Sequence, residues 1–412
     1  MKFSEFPSNV KLRICCGFFD HAASMSVMPF MVLYIADELG KVTSGLLLSI
    51  NVIFGLLCNL LGGYFADRFS RKGQLLAGQM IFAVIMILMT IFIHPHVNMP
   101  WVVAILFMLT AISNAMVFPA LEALIIDSTT EDMRKSVYVT TYWANNLATA
   151  VGTAIGGLFY RDHRLMLFIL IIVIMLINTF IFKKYLIDPT TDRAPRAVTT
   201  HWMRDLLSNY QAALKDTRFV FFTMAAVFIF SAEFALTNYI GVRLHDEFKP
   251  VNLLGIHVDG VRMMSLMLIE NTLLVVSITF LVAKVTEKSN QLAVLMLGAF
   301  MYTGGYGLAH HLTNWYLLLL VVLIATIGEL MQTPILSVFQ AKLMPEDKRA
   351  SYIAFGSLGY SGAGLVASSG LIVGTVLNST MMSVYVISLG LIGMLLLYLS
   401  IHSNFFKQQT PS

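Results

Sequence analysis

Charge is what this sequence has least of. Lysine, arginine, aspartate and glutamate make up 12% of its 412 residues, and 57% are hydrophobic, against about 25% and about 45–50% in ordinary soluble domains. So few charges cannot coat a water-facing surface of this size, which excludes a soluble globule and also a disordered chain. Cysteine is scarce as well. Cys15, Cys16 and Cys58 all fall in apolar runs, which leaves no disulfide framework of a secreted scaffold, and they read as packing residues. Ten-residue stretches of alternating polarity are missing, so an outer-membrane barrel is not supported. Also missing are a Gly-x-x-x-x-Gly-Lys phosphate loop, histidine pairs at metal spacing and a nucleophile motif. The expectation is therefore no enzyme, no metal and no cofactor, with energy drawn from an ion gradient. The net charge of +4 does not imply a nucleic-acid partner, because the basic residues lie in short breaks between apolar runs rather than on one face.

What the sequence does have is long apolar runs, at about 12–36, 44–65, 73–93, 101–126, 137–159 and 165–182, then 219–243, 262–282, 292–309, 315–340, 351–376 and 381–401. A bilayer-spanning helix takes about 20 such residues, so the pattern predicts an all-α integral membrane protein of twelve transmembrane helices. The first run is too long for a signal-peptide core and reads as an uncleaved span. The runs divide the chain into an N-terminal six-helix half, 1–182, a linker, 183–218, and a C-terminal six-helix half, 219–412. Within the linker Trp202, Leu206, Tyr210 and Leu214 recur every four residues, as in an amphipathic helix lying on a membrane surface. Lysine and arginine set the orientation. With the N-terminus inside, 21 of the 27 basic residues are cytoplasmic, and only Lys41, Arg161, Arg164, Arg243, Lys249 and Arg262 lie outside. The expectation is a multi-pass, monomeric cell-membrane protein with both termini cytoplasmic.

The two halves repeat. Shifting the chain by 215 residues superimposes Ile112 on Ile327, Met116 on Met331, Pro119 on Pro334, Leu121 on Leu336, Glu131 on Glu346, Asp132 on Asp347, Arg134 on Arg349 and Ser136 on Ser351. Six spans is an even number, so the halves run in the same orientation, related about an axis along the membrane normal. That is a transporter architecture, in which pseudo-symmetric halves rock around a central site.

The loop after the second span reads Gly62, Gly63, Tyr64, Phe65, Ala66, Asp67, Arg68, Phe69, Ser70, Arg71, Lys72. It resembles the Gly-x-x-x-Asp-Arg-x-x-Arg-Lys loop of the major facilitator superfamily, with Ser70 where that family usually has glycine. The resemblance implies a gate made by Gly63, Asp67, Arg68, Arg71 and Lys72; the alternative is that these charges only fix topology. Further along, Glu122 to Asp127, Arg134, Tyr142-Trp143-Ala-Asn-Asn146, Gly328-Glu329 and Thr333-Pro334 resemble the drug:proton antiporters of that superfamily, particularly the LmrP-like branch. This implies efflux of lipophilic or cationic compounds in exchange for protons, with Tyr142, Trp143 and Asn146 at the substrate cavity and Glu122, Asp127 and Arg134 at the gate. Thr141 and Thr237 stand where some members of that branch carry acids. Gly152, Gly156 and Gly157 match part of a glycine-rich motif of the fifth span and read as residues that let helices approach closely.

Carboxylates inside the spans carry most of the functional argument. A charge near the bilayer centre costs about 2.5–3.5 kcal/mol on the lenient insertion scale, so such residues face the bundle interior or a wet cavity and mark ion or substrate paths. At about 1.5 Å per residue, Glu329 lies roughly 21 Å from Trp315 and Glu233 about 15 Å from Arg243, both deep, while Asp20 and Glu270 lie about 12 Å from their span ends. Burial favours the neutral form of a carboxyl and so lets it bind and release a proton. Glu329 is the first candidate for proton coupling: the repeat sets it opposite Asn114, and Pro334 frees the carbonyl of Leu330 beside it. Asp20, followed by Met28, Pro29 and Phe30, is the second. Glu233, Glu270 and Asn114 are candidates for substrate contact. His21, next to Asp20, reads as a packing histidine rather than a relay. The chain thus reads as a proton-coupled secondary transporter of a small molecule. The alternatives are a transporter of one metabolite, sugar or lipid, or, in another class, a membrane-embedded enzyme or a sensor that binds without transport.

Overall fold

The computed structural model describes residues 3–66, 70–188, 213–253, 255–286, 289–344, 352 and 355–402. Thirteen helices and one short hairpin make up the framework used below: α1 (Ser8–Met25), α2 (Met31–Leu39), α3 (Lys41–Ala66), α4 (Arg71–Phe92), α5 (Pro100–Ser128), α6 (Glu131–Tyr185), α7 (Thr217–Phe234), α8 (Gly241–Glu247), β1 (Val251–Leu253), β2 (Ile256–Val258), α9 (Gly260–Thr286), α10 (Gln291–Ala309), α11 (Trp315–Leu343), α12 (Leu358–Val373) and α13 (Ser379–Ile401). Among the described residues, ten helical stretches are long and apolar enough to cross a bilayer. One of these contains two spans, because α6 is kinked at His163, where φ is −131° and ψ is 33°. An eleventh stretch, α12, is apolar but has only 16 residues. Large apolar side chains on the outside, such as Leu57, Val84, Ile177 and Phe180, give the helices the surface of a membrane protein rather than that of a soluble one.

Local chemistry fixes where these helices begin. Ser70 accepts from the Gly73 N–H at 2.8 Å, Asp216 from the N–H groups of Arg218 and Phe219, and Asn290 from those of Leu292 and Ala293, each satisfying donors that a helix start leaves unpaired. Ser70 has φ −58°, so the loop does not need the glycine that the family usually places there. The first span is broken: a 3₁₀ turn over Met28–Phe30, with Pro29 in its first turn, separates α1 from α2, as expected where proline removes a backbone donor. The seventh span carries a π-helical turn over Leu236–Ile240 between α7 and α8.

Contacts divide the chain into two compact units, Met1–Val198 and Thr199–Ser412. In the first, α1 packs on α6, α3 and α4 pack on α5, and α4 packs on α6. In the second, α7 packs on α12 and α13, α9 and α10 pack on α11, and α10 packs on α13. The same helix order makes the same pairings in each unit, which is the repeat read from sequence expressed as packing. Gly152 and Gly156 bring α6 onto the first span: a methyl at Gly152 would collide with the Ala22 carbonyl, and one at Gly156 with the Phe30 ring. Cys16 packs with Leu75, Ala120, Leu124, Phe182 and Leu186, and Cys58 is also buried, whereas Cys15 is exposed and is not the packing residue expected. The linker helix expected around Trp202, Leu206 and Tyr210 lies outside the described residues; Leu214, inside them, is exposed.

Candidate functional site

Each unit holds an acid on its first span that accepts from that unit's third span. In the first unit the acid is Asp20, on α1. One carboxyl oxygen accepts from Gln79 of α4 at 3.0 Å and the other from Asn178 of α6 at 2.5 Å. Asn178 also reaches the Cys16 carbonyl, at 3.0 Å, and Thr179 donates to the Gln79 side chain at 3.2 Å. Each carboxyl oxygen of Asp20 thus has an amide donor, which satisfies it inside an apolar helix bundle.

Asp20 lines a cavity of about 360 Å³ together with Arg13, His21, Asn114, Thr141 and Asn145, with Phe82, Phe118 and Met175 among its apolar walls. This is within the range of small-molecule sites, about 300–1,000 Å³, and has their usual character of apolar walls and a few polar groups. His21 is fixed by Thr149, at 2.7 Å. Arg13, counted from sequence among the cytoplasmic end charges, is instead 8% exposed, with its Nε donating to the Leu121 carbonyl at 3.1 Å and a terminal nitrogen to Thr141 Oγ1 at 3.3 Å. The sequence reading missed this because α1 begins at Ser8, which places Arg13 inside the first turns of the span rather than ahead of it. Arg243, counted among the outer charges, is likewise 3% exposed. It bonds the carbonyls of Ala309, His311 and Leu312 at the end of α10, where a cation complements the helix dipole.

In the second unit the acid on the first helix is Glu233, on α7, which accepts from the Tyr302 hydroxyl of α10 at 2.5 Å. Glu329 of α11 accepts from the Asn271 amide of α9 at 2.9 Å. The same Asn271 nitrogen faces Thr326 Oγ1 at 3.1 Å and the Tyr306 hydroxyl at 3.3 Å. Tyr302 and Tyr306, fully buried, meet edge to face with ring centres 5.3 Å apart. A chain of contacts links the two acids, from Glu233 through Tyr302, Tyr306 and Asn271 to Glu329. The structure therefore joins two acids from separate spans into one cluster with two tyrosines and an asparagine. Glu270, beside Asn271 in sequence, has a buried Oε2 without a hydrogen-bond partner among the described residues.

The other candidates are placed as follows. Asn114 lines the first unit's cavity. Tyr142 and Trp143 are exposed, and Asn146 bonds back to the Tyr142 carbonyl of its own helix. These three point away from that cavity, because at about 100° per residue the face of α6 turned towards it is that of Thr141, Ala144 and Asn145. Gly63 lies in α3, Lys72 donates to the Leu186 carbonyl at 2.7 Å at the end of α6, and Arg71 opens α4. Asp67 and Arg68, and the side chains of Glu122, Asp127 and Arg134, lie outside the described residues. Sequence reasoning missed Arg13, Gln79, Asn178, Asn271 and Tyr302. The amides carried a usable signal, since a primary amide in an apolar span is costly unless it finds a partner.

The family model described as Major Facilitator Superfamily matches residues 14–368. Relatives include a Na(+), Li(+), K(+)/H(+) antiporter of Planococcus maritimus, 27% identical over 381 residues covering 89% of each chain. The multidrug resistance protein MdtH of Proteus mirabilis (strain HI4320) is 23% identical over 356 residues, covering 84% of this chain and 81% of that one. Among solved structures, a POT family transporter in complex with 5-aminolevulinic acid superimposes with a TM-score of 0.79 at 14% identity, covering 97% of both chains. The nucleoside transporter NupG does so with a TM-score of 0.73 at 15% identity, covering 96% of this chain and 100% of the other.

Proposed function

The chain belongs to the major facilitator superfamily, and from that premise we propose that it is a proton-coupled antiporter exporting lipophilic or cationic compounds by alternating access, of the kind found in the drug:proton antiporters and their LmrP-like branch. It is a membrane secondary transporter and not an enzyme. One observation carries the proton-coupled part of the reading: two deep acids, Glu233 and Glu329, sit in one cluster, each held by a neutral donor, with no cation bonded to either among the described residues. Two carboxylates sharing a low-dielectric site resist carrying two charges at once. A proton taken up there neutralises half of that charge, and its release restores it. Tyr302 and Asn271 donate in either state, so the cluster can change charge without losing its frame.

The first unit supplies the room for a cargo. Its cavity suits an organic cargo, and Asp20 in its wall is the second titratable group and the one that meets the cargo. Arg71 and Lys72 at the start of α4, with Gly63, Asp67, Arg68, Glu122, Asp127 and Arg134, form the cytoplasmic gate. A proton moving inward through 100 mV releases about 2.3 kcal/mol, enough for roughly a fiftyfold cargo gradient. Orientation in the cell membrane follows the lysine and arginine distribution, with both termini inside.

A second reading has a specific observation in its favour. The Planococcus antiporter named for sodium, lithium and potassium matches over most of both chains, and the Glu233–Glu329 cluster offers the oxygen ligands that hard cations take. An alkali ion would then compete with the proton at those carboxyls.

The deciding measurement uses proteoliposomes with an imposed pH gradient. Wild-type protein is expected to release protons when a lipophilic dye is added, and Glu329→Gln to abolish pH-driven movement while dye counterflow at equal pH persists. Full pH-driven transport by Glu329→Gln would remove Glu329 from the mechanism. Proton release on adding sodium but not dye would select the second reading.

A further inference from the structure

We propose that His21 sets the cargo class of the first unit's cavity: its Nδ1 accepts a hydrogen bond from cargo, so the cavity prefers cationic amines that carry an N–H over quaternary cations that have none. The inference rests on the antiport reading and narrows its cargo class.

His21 belongs to α1 and lines the cavity. Its one hydrogen bond among the described residues joins Nε2 to Thr149 Oγ1 of α6, at 2.7 Å. Thr149 decides which ring nitrogen carries the proton. Its hydroxyl has a single hydrogen, and that hydrogen has an acceptor on its own helix, the Asn145 carbonyl at 3.0 Å. With the hydrogen given there, Oγ1 has only lone pairs to offer, and the bond across to α1 has Nε2–H as its donor. A neutral imidazole has one N–H, so Nδ1 is left as an acceptor. It has no partner among the described residues, and it is not one of the buried side-chain atoms left unpartnered, so it keeps surface to offer. The histidine expected from sequence only to pack therefore presents an acceptor of fixed orientation in the wall of a cavity, the kind of group by which an apolar site orients its ligand.

What satisfies Nδ1 must be a donor. A protonated tertiary amine carries one N–H, and the quaternary ammonium made from it by adding a methyl carries none. The two have the same charge, and Phe82, Phe118 and Met175 cover the apolar body of either, so neither charge nor burial separates them. The hydrogen bond does. The amine gives its proton's bond to Nδ1, while the quaternary cation takes water from Nδ1 and puts nothing in its place, which is the larger loss for a polar atom.

The test is calorimetric titration of the detergent-solubilised full chain with dimethyl(naphthylmethyl)amine and with its N-methyl quaternary salt. At about pH 7.5 imidazole is largely neutral and both compounds are cations. Wild-type protein is expected to bind the amine about tenfold more tightly than the quaternary salt, as a hydrogen bond to a charged group supplies. His21→Leu should raise the Kd for the amine to that of the quaternary salt and leave the latter in place. His21→Gln, which can keep a donor for Thr149 and an acceptor for cargo, should hold part of the preference. Should His21→Leu fail to fold, Thr149→Val frees the ring and should cut the preference to about threefold. Equal wild-type Kd values, tighter binding of the quaternary salt, or a preference undiminished in His21→Leu or Thr149→Val would overturn the proposal. Wild-type protein that binds neither compound and releases no protons on adding dye would overturn the antiport reading itself; dye-driven proton release without the amine preference would overturn only this one.

Discussion

Tyr302 shows how much of the acid cluster depends on neutral partners. Its hydroxyl is the donor to Glu233, and a hydrogen bond to a charged group contributes about 1.5–3 kcal/mol. Tyr302→Phe keeps the ring, its packing on Tyr306 and its helix, and removes only that donor. If the transport step bears the loss, initial rates of pH-driven efflux in membrane vesicles should fall roughly tenfold to a hundredfold, and a wild-type rate would show that Glu233 does not need the tyrosine. At this scale the acids were legible in the sequence because their cost in a span is large and independent of context. Their partners were not. A tyrosine on an apolar helix is ordinary, and Gln79, Asn178 and Asn271 gain meaning only once packing sets them against a carboxyl. Arg13 was misplaced for a related reason: whether a basic residue near a span end is outside or inside depends on where the helix starts, which hydropathy does not resolve.

Spans four and ten, α5 and α11, are paired by the 215-residue shift, but spans three and nine, α4 and α10, are not. The shift that matches their starts, Arg71 and Gln291, is 220 residues, because α10 has 19 residues against 22 in α4 and the loop after it is also shorter. At that shift Gly78 falls on Gly298, and both are points of close approach to the following helix. A gapless comparison could not see this pair; the packing does. A methyl at Gly298 would sit 2.8 Å from the Gly328 carbonyl oxygen, next to Glu329, so α10 and α11 can touch here only without side chains. Gly298→Ala should therefore lower the thermal midpoint of the detergent-solubilised protein, as overpacking costs about 1–3 kcal/mol. Gly304→Ala, six residues on with open space around it, should leave it unchanged or raise it, since alanine favours helix by about 1 kcal/mol. Equal midpoints for the two variants would mean the contact is not a packing constraint. The helices themselves were readable from apolar runs. The break at Pro29, the kink at His163 and the π turn over Leu236–Ile240 were not, because hydropathy is blind to backbone irregularity inside an apolar stretch.

For the whole molecule, orientation decides what the acid cluster and the cavity can do, since a proton-driven exporter needs its proton supply outside and its cargo inside. Of the 27 basic residues that set the orientation, two, Arg13 and Arg243, are buried within their units rather than exposed in loops. One comes from each side, so the inside excess survives, and each embedded arginine is accounted for by hydrogen bonds within its own unit. The prediction follows from the first unit alone. His96, in the exposed loop after α4, and Lys183, exposed near the end of α6, fall on opposite faces if the first span starts inside. In a background with Cys15, Cys16 and Cys58 replaced by serine, His96→Cys should react with a membrane-impermeant maleimide in intact cells, and Lys183→Cys only after permeabilisation. The reverse pattern would place the termini outside and turn the same proton-driven exchange into uptake. It would also leave the basic loops facing the side where the rule that governs short loops disfavours them.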